Sequence, residues 1–236
     1  MKRVVVTGIG MINALGHDAK SSFEAIIAGK CGIERISLFD PTEFGAQIAG
    51  EVKNFNPDEV MDPKEVKKAD RFIQLGIKSS TEAMSDAGLV KGEFDGDRFG
   101  IVAGSGIGGL PNIEKNSIIL ETKGPKRISP FFIPSSLANM LGGFVSIDHG
   151  LKGPNVACVT ACAASAHAIA EGAKCIMLGA ADRMVVVGAE SAVCGVGVGG
   201  FASMKALSTR NDDPAHSSRP FDADRDGFVM GEGAAT

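Results

Sequence analysis

Val156-Ala157-Cys158-Val159, then Thr160-Ala161-Cys162, then Ala163-Ala164-Ser165-Ala166-His167-Ala168-Ile169-Ala170 is the stretch, within Gly153 to Gly179, from which the rest of the chain can be read. The first four residues are short, apolar and partly β-branched, the pattern of a strand buried on both faces of a parallel sheet. The last eight are strong helix formers with alanine on every side, and a helix apolar nearly all round is a buried helix. Cys162 therefore falls at a sharp strand-to-helix turn. Free N–H groups and the positive dipole end at such a turn favour thiolate over thiol, and the same N–H groups can hold an oxyanion formed on a thioester carbonyl. A small apolar filler is the usual fate of a buried cysteine, and spacing alone leaves both readings of Cys162 open.

Working outward, Arg183-Met184-Val185-Val186-Val187-Gly188 is a second continuous apolar strand, and Phe99-Gly100-Ile101-Val102-Ala103 a third. Arg3-Val4-Val5-Val6-Thr7 reads as a buried first strand, followed by a helix from about Asp18 with Phe23, Ile26 and Ile27 on its apolar stripe. Gln47 to Val52 alternates like a short exposed strand. Asp62 as N-cap with Pro63 at N1 opens a helix expected to run to about Ala87. Further helices are expected near Asn112 to Glu121 and, capped by Ser135 or Ser136, up to Gly150. The order β-α-β-α-β-α-β implies right-handed crossovers and a parallel sheet with helices on both faces.

With 236 residues and 44% hydrophobic content, the chain can bury a core as one large or two small domains. A net charge of −4 argues against generic nucleic-acid binding. Five cysteines without framework spacing read as reduced thiols of a cytoplasmic protein. Val4 to Val6 is too short for the apolar region of a signal peptide, and Met184 to Met204, with Glu190 and many glycines, does not read as a membrane span.

Competing site signals are weaker. Gly104-Ser105-Gly106-Ile107-Gly108-Gly109 follows a strand and matches G-x-G-x-x-G, but no strand ending in an acidic residue follows at the ribose-binding distance, so a non-catalytic nucleotide-binding α/β module stands only as an alternative. Asp222-x-Asp224-x-Asp226 lacks the bidentate glutamate of a calcium loop, and Cys158, Cys162 and Cys175 lack zinc spacing; no cofactor or metal is expected. His167, five residues after Cys162, is turned roughly 140° round the helix from it. Lys64, Lys67, Lys68 and Arg71 form a basic cluster whose ordinary explanation is a solvated face.

The residues Thr160 to Ile169, together with Gly197-Val198-Gly199-Gly200-Phe201, Ala206 to Asn211, and Arg219-Pro220-Phe221-Asp222 through Arg225-Asp226-Gly227-Phe228, resemble the β-ketoacyl-acyl carrier protein synthases, over the whole span from Met1 to Thr236. The resemblance implies a thiolase-like fold, residues 1–236 being one βαβαβαββ half with a mostly parallel five-stranded sheet and a buried central helix. Gly227 to Thr236 would start a last, antiparallel strand. It implies that Cys162 carries the acyl chain, its own N–H being one oxyanion donor. Ile107 and Phe201 would line the acyl pocket, with Phe132 reaching towards the partner subunit of a homodimer. Lys64, Lys67, Lys68, Arg71, Lys126, Arg127 and Lys205 would dock an acidic acyl carrier protein. Acyl and malonyl thioesters are the implied substrates, and a polyketide ketosynthase is the alternative within the same chemistry. Family members run to roughly twice this length, and their two histidines, lysine and phenylalanine gate lie in a second half outside this sequence.

Overall fold

In the computed structural model, which describes residues 2–236, the chain runs β1 (Met11–Asn13), α1 (Ala19–Ile27), β2 (Ile33–Arg35), β3 (Ile48–Gly50), α2 (Pro63–Val66), α3 (Arg71–Asp86) and β4 (Phe99–Gly104). It continues with α4 (Leu110–Lys123), α5 (Phe132–Ser136), α6 (Met140–His149), β5 (Asn155–Cys158), α7 (Ala164–Met177), β6 (Arg183–Glu190), α8 (Gly195–Ser203), β7 (Met230–Gly231) and β8 (Gly233–Ala235). A five-stranded sheet has the order β1-β8-β6-β4-β5. β4 pairs parallel with β5 and β6, whereas β8 is antiparallel to both β6 and β1. A second sheet, which the hydrophobic pattern does not reveal, has the order β2-β3-β7.

β6 shows how the strands position the helices. Its residues alternate faces, so Val185, Val187 and Ala189 enter a core with Phe72, Ile73 and Leu75 of α3 and Leu141 and Val145 of α6. Complete burial of side chains of this size contributes roughly 1.5–3 kcal/mol each. Met184, Val186 and Gly188 face the opposite side, where Gly172 of α7 lies against Val186 and Met184. The second core gathers Ile36, Ala49, Val193, Val198, Leu207 and Met230, with Phe39, Phe44 and Phe201 packed on it.

Several expectations are corrected. Residues 3–7 are not a buried strand in this structure: Val4, Val5 and Val6 are exposed, and the backbone pairing with β8 runs through Gly10 and Thr236. Phe23, Ile26 and Ile27 of α1 are exposed while Ser22 and Ala25 are buried, because the helix turns its small residues inward. β3 is buried, not exposed, lying between β2 and β7. The helix expected from Asp62 to Ala87 is two helices. Asp70 interrupts it, accepting from Phe72 N and from Asn112 N at 3.0 Å, and so serves as N-cap of α3 and as a tie to α4. Ser135 and Ser136 do not cap the helix that ends at Gly150. They close α5, and α6 starts after Asn139.

β5 is an edge strand with Asn155 and Val156 exposed, not one covered on both faces. The central helix α7 is buried along the stripe Ala164, Ala168 and Gly172 only, and Ile169 is 64% exposed. Met184 to Met204 is divided between β6 and α8, and among the described residues no helix is long and apolar enough to cross a membrane.

Glu232, between β7 and β8, has a fully buried side chain and accepts from Arg71 Nε (2.8 Å), Arg71 Nη2 (2.6 Å), Ser191 Oγ (2.6 Å) and Val52 N (2.8 Å). Removing one member of a buried pair strands the other charge at a cost of about 3–5 kcal/mol. Arg71→Leu is therefore expected to lower the urea-unfolding free energy by roughly that amount, whereas Lys64→Leu, on the surface, should leave it nearly unchanged. Burial of Asp70 raises its carboxyl to about 6, against the opposing hydrogen bonds from Phe72, Asn112 and Arg71. The folded protein then holds this proton more tightly than the unfolded chain, so stability falls as pH rises from about 4 to 6. Unfolding titrations across that window should show the fall, by ~1–3 kcal/mol, in the parent and its loss in Asp70→Asn.

Candidate active site

The turn around Cys162 is built from both sides. β5 ends at Cys158, Ala161 takes a left-handed conformation with φ +50°, and a short 3₁₀ turn over Ala161–Ala163 leads into α7. A left-handed non-glycine residue costs of order 1–3 kcal/mol and persists only where its surroundings over-determine it. Here Ala163 N donates to Thr160 O at 3.2 Å, Ser105 N donates to Cys158 O at 3.3 Å, and Thr160 Oγ1 shares a 2.8 Å hydrogen bond with His167 Nδ1. The first turn of α7 packs so closely on the sheet that only glycine fits beneath it. A Cβ on Gly104 would lie 2.7 Å from Ala164 O, and one on Gly188 would lie 2.7 Å from Ser165 Cβ. Cys162 stands exposed at the tip.

The Gly104–Gly109 loop lies beside this turn, and Glu190 at the end of β6 holds it. Glu190 Oε2 accepts from Gly106 N at 2.6 Å and Ile107 N at 3.0 Å, while Oε1 accepts from Ser105 Oγ at 3.3 Å. Desolvation raises the Glu190 carboxyl above its usual range in spite of these donors. The N–H groups that a nucleotide phosphate would need from this G-x-G-x-x-G loop are thus spent on a carboxylate of the protein. Sequence reading missed Glu190. The available signal was a lone acid closing a buried parallel strand at its C-terminal end, where sites of open α/β sheets form.

The residues expected to line an acyl pocket lie around the start of α4. Ile107 is on the glycine loop, Phe132 is half-buried at the head of α5, and Phe201 packs edge-on to Phe228 at 5.4 Å in the second core, alongside Leu110. A separate cleft of about 490 Å³, lined by Phe39, Glu114, Ile118, Ile119, Val193 and Cys194 among others, includes none of the three. Of the histidines, His17 bonds Lys53 O, His216 bonds Asp213, His167 is tied to Thr160 of the Cys162 turn, and His149 is buried 3.7 Å from Asp148, its Nε2 lacking a hydrogen-bond partner among the described residues.

Of the basic residues, Arg71 has its guanidinium bonded to Glu232 and Val52 O. Lys68 pairs with Glu65 at 2.5 Å and lies over the Phe131 ring at 5.8 Å, and Lys126 and Arg127 lie on an exposed turn. Lys64, Lys67 and Lys205 are exposed.

The family profile described as "Beta-ketoacyl synthase, N-terminal domain" matches residues 1–236. The chain belongs to the β-ketoacyl synthase family. It is 48% identical over 234 residues to the 3-oxoacyl-[acyl-carrier-protein] synthase 2 of Coxiella burnetii, covering 99% of this chain and 56% of that protein. The crystal structure of a β-ketoacyl synthase from Burkholderia phymatum superposes with a TM-score of 0.90 at 32% identity, over 100% of this chain and 58% of the other. At 22% identity and a TM-score of 0.79, the fold also matches a type II polyketide acyl-carrier protein in complex with its ketosynthase, over 100% of this chain and 61% of that one. The chain thus spans somewhat more than half the length of these relatives. Like them it has the thiolase-like α/β fold.

Within this β-ketoacyl synthase chain the cysteines are not equivalent. Cys194 is buried, and burial with Glu114 beside it pushes its thiol up to about 12, whereas Cys162 is exposed. Limiting iodoacetamide near neutral pH, with peptide mapping by mass spectrometry, is expected to label Cys162 ahead of Cys158, Cys175 and Cys194. Preferential labelling of any of those three would remove Cys162 as the nucleophile.

Proposed function

We propose that this protein is the nucleophile-bearing part of a 3-oxoacyl-acyl carrier protein synthase of fatty-acid elongation. The observation that carries the reading is the strained turn that presents Cys162 at the tip between β5 and α7. In the first half-reaction the Cys162 sulfur attacks the carbonyl carbon of an acyl thioester. The new C–S bond replaces the one to the carrier, which leaves as a thiol with the proton that Cys162 gives up. The Cys162 N–H is the proposed donor to the oxyanion formed on the way. In the second, malonyl-acyl carrier protein loses carbon dioxide, and its enolate carbon attacks the acyl-Cys162 carbonyl and expels the sulfur as thiolate. That step needs donors aimed at the enolate, and here His17, His167 and His216 bond other groups while His149 is buried beside Asp148. It is assigned to a second half of the enzyme, with residues 1–236 as the first.

Ile107, Phe201 and Phe132 would line the acyl chain's path, Phe132 towards the partner of a homodimer. The exposed Lys64, Lys67, Lys126, Arg127 and Lys205, with Lys68 at their margin, would receive an acidic acyl carrier protein in the cytoplasm. The 48% identity to a 3-oxoacyl-[acyl-carrier-protein] synthase 2 supports fatty acyl substrates, and a substrate profile separates them from polyketide ones.

The test uses intact mass. An acyl-carrier thioester should add one acyl group at Cys162 and nothing to Cys162→Ala. Acylation by the carrier should slow as salt rises and in Lys64→Glu/Lys67→Glu, while acylation by a small free thioester should not. With malonyl thioester added, this chain alone should release no carbon dioxide. Full turnover by an isolated monomer would show the condensing groups to be misplaced.

A further inference from the structure

The geometry points to Glu190 as a positioning residue that sets the place of Ile107 relative to Cys162 and so makes the site selective for long acyl chains; this rests on the acyl-transfer reading above. Three observations carry it. One carboxylate oxygen, Oε2, accepts from two consecutive backbone N–H groups, Gly106 at 2.6 Å and Ile107 at 3.0 Å, so it holds the peptide unit that bears the Ile107 side chain. The other oxygen takes Ser105 Oγ, and Ser105 Oγ in turn accepts from Gly108 N at 3.1 Å, extending the same anchor to the far side of Ile107. The loop so held touches the nucleophile's turn. A Cβ built on Gly106 would lie 2.9 Å from Glu190 Oε2 and 3.2 Å from Ala161 O, one residue before Cys162.

Without the carboxylate, the Gly106 and Ile107 N–H groups lose the one acceptor that holds both at once, and the loop is released to bond water in other conformations. Ile107 then leaves the wall on which an alkyl chain bound at Cys162 would lie. The thiol keeps most of its supports: the Ala163 N–Thr160 O and Thr160–His167 hydrogen bonds do not involve the loop, and only Ser105 N to Cys158 O comes from a residue whose side chain Glu190 holds. Loss of Glu190 should therefore separate chain selection from thiol reactivity. A glutamine can replace it, its carbonyl oxygen taking both N–H groups and its amide facing Ser105 Oγ.

The experiment compares two alkylating probes on the full chain, iodoacetamide and N-octyl-iodoacetamide, as the ratio of their rates at Cys162 followed by mass spectrometry. Glu190→Ala is expected to lower the octyl-to-parent ratio roughly tenfold, with the iodoacetamide rate within about twofold, and Glu190→Gln should keep the ratio near that of the parent. Should Glu190→Ala fail to fold, Gly106→Ala tests the same contact with Glu190 retained and is expected to lower the ratio in the same way. An unchanged ratio in a folded Glu190→Ala or Gly106→Ala overturns the proposal. An equal fall for both probes does so too, because it marks a general loss of structure. A fall in Glu190→Gln as deep as in Glu190→Ala assigns the effect to charge and overturns positioning. The underlying reading fails separately: if the parent reacts with both probes at Cys162 yet takes no acyl group from a thioester, acyl transfer is wrong whatever the ratio does.

Discussion

The buried carboxylate of Glu232 is the point on which both sheets depend. It follows β7 of the small sheet and precedes β8 of the large one, and its partners Arg71, Ser191 and Val52 come from the start of α3, the end of β6 and the end of β3. A charge removed from water is tolerated only when its lone pairs are filled, and here each oxygen has two donors. The two sheets are thereby fixed relative to each other at a place where the chain has one residue to pass between them. Breaking such a pair strands a buried charge, whereas replacing all of it by well-packed apolar residues is often neutral in stability.

The site inherits that rigidity through β6. Ser191 is held by Glu232, and the preceding residue, Glu190, holds the glycine loop on the other side of the strand end. Two acids near the C-terminal ends of the central strands thus do different jobs, one joining layers and one ordering the loop beside the nucleophile. The left-handed Ala161 is kept in place by close packing instead: α7 sits on Gly104 and Gly188 with no room for a side chain, so the turn that raises Cys162 cannot relax downward.

The same economy separates structural from available charge. Arg71 and Lys68 are near neighbours in a basic cluster, yet the guanidinium is drawn inward to Glu232 while the ammonium stays at the surface between Glu65 and Phe131. The planar fork of arginine suits a bidentate buried carboxylate, and lysine, strongly hydrated, does not. Any partner attracted to this face meets the lysines.

Read alone, the sequence determined the parallel α/β order, the strand at Val185–Val187, the turn at Cys162 and the helix start at Asp18, because each rests on a local rule: β-branched runs, alanine-rich helix formers, a capping acid. It also carried the family resemblance and, through it, the antiparallel last strand that appears as β8. Tertiary structure alone decided which faces are covered. Ser22 and Ala25 of α1 turn inward while Phe23, Ile26 and Ile27 are exposed, and β3, read as exposed, is buried between β2 and β7. Asp70 breaks one apparent helix into two because Asn112, distant in sequence, supplies a second donor to its carboxylate. The partners of Glu190, Glu232 and Arg71 were illegible for the same reason: a buried charge is explained by what lies across from it, and that is set by packing between segments whose separation no local pattern records.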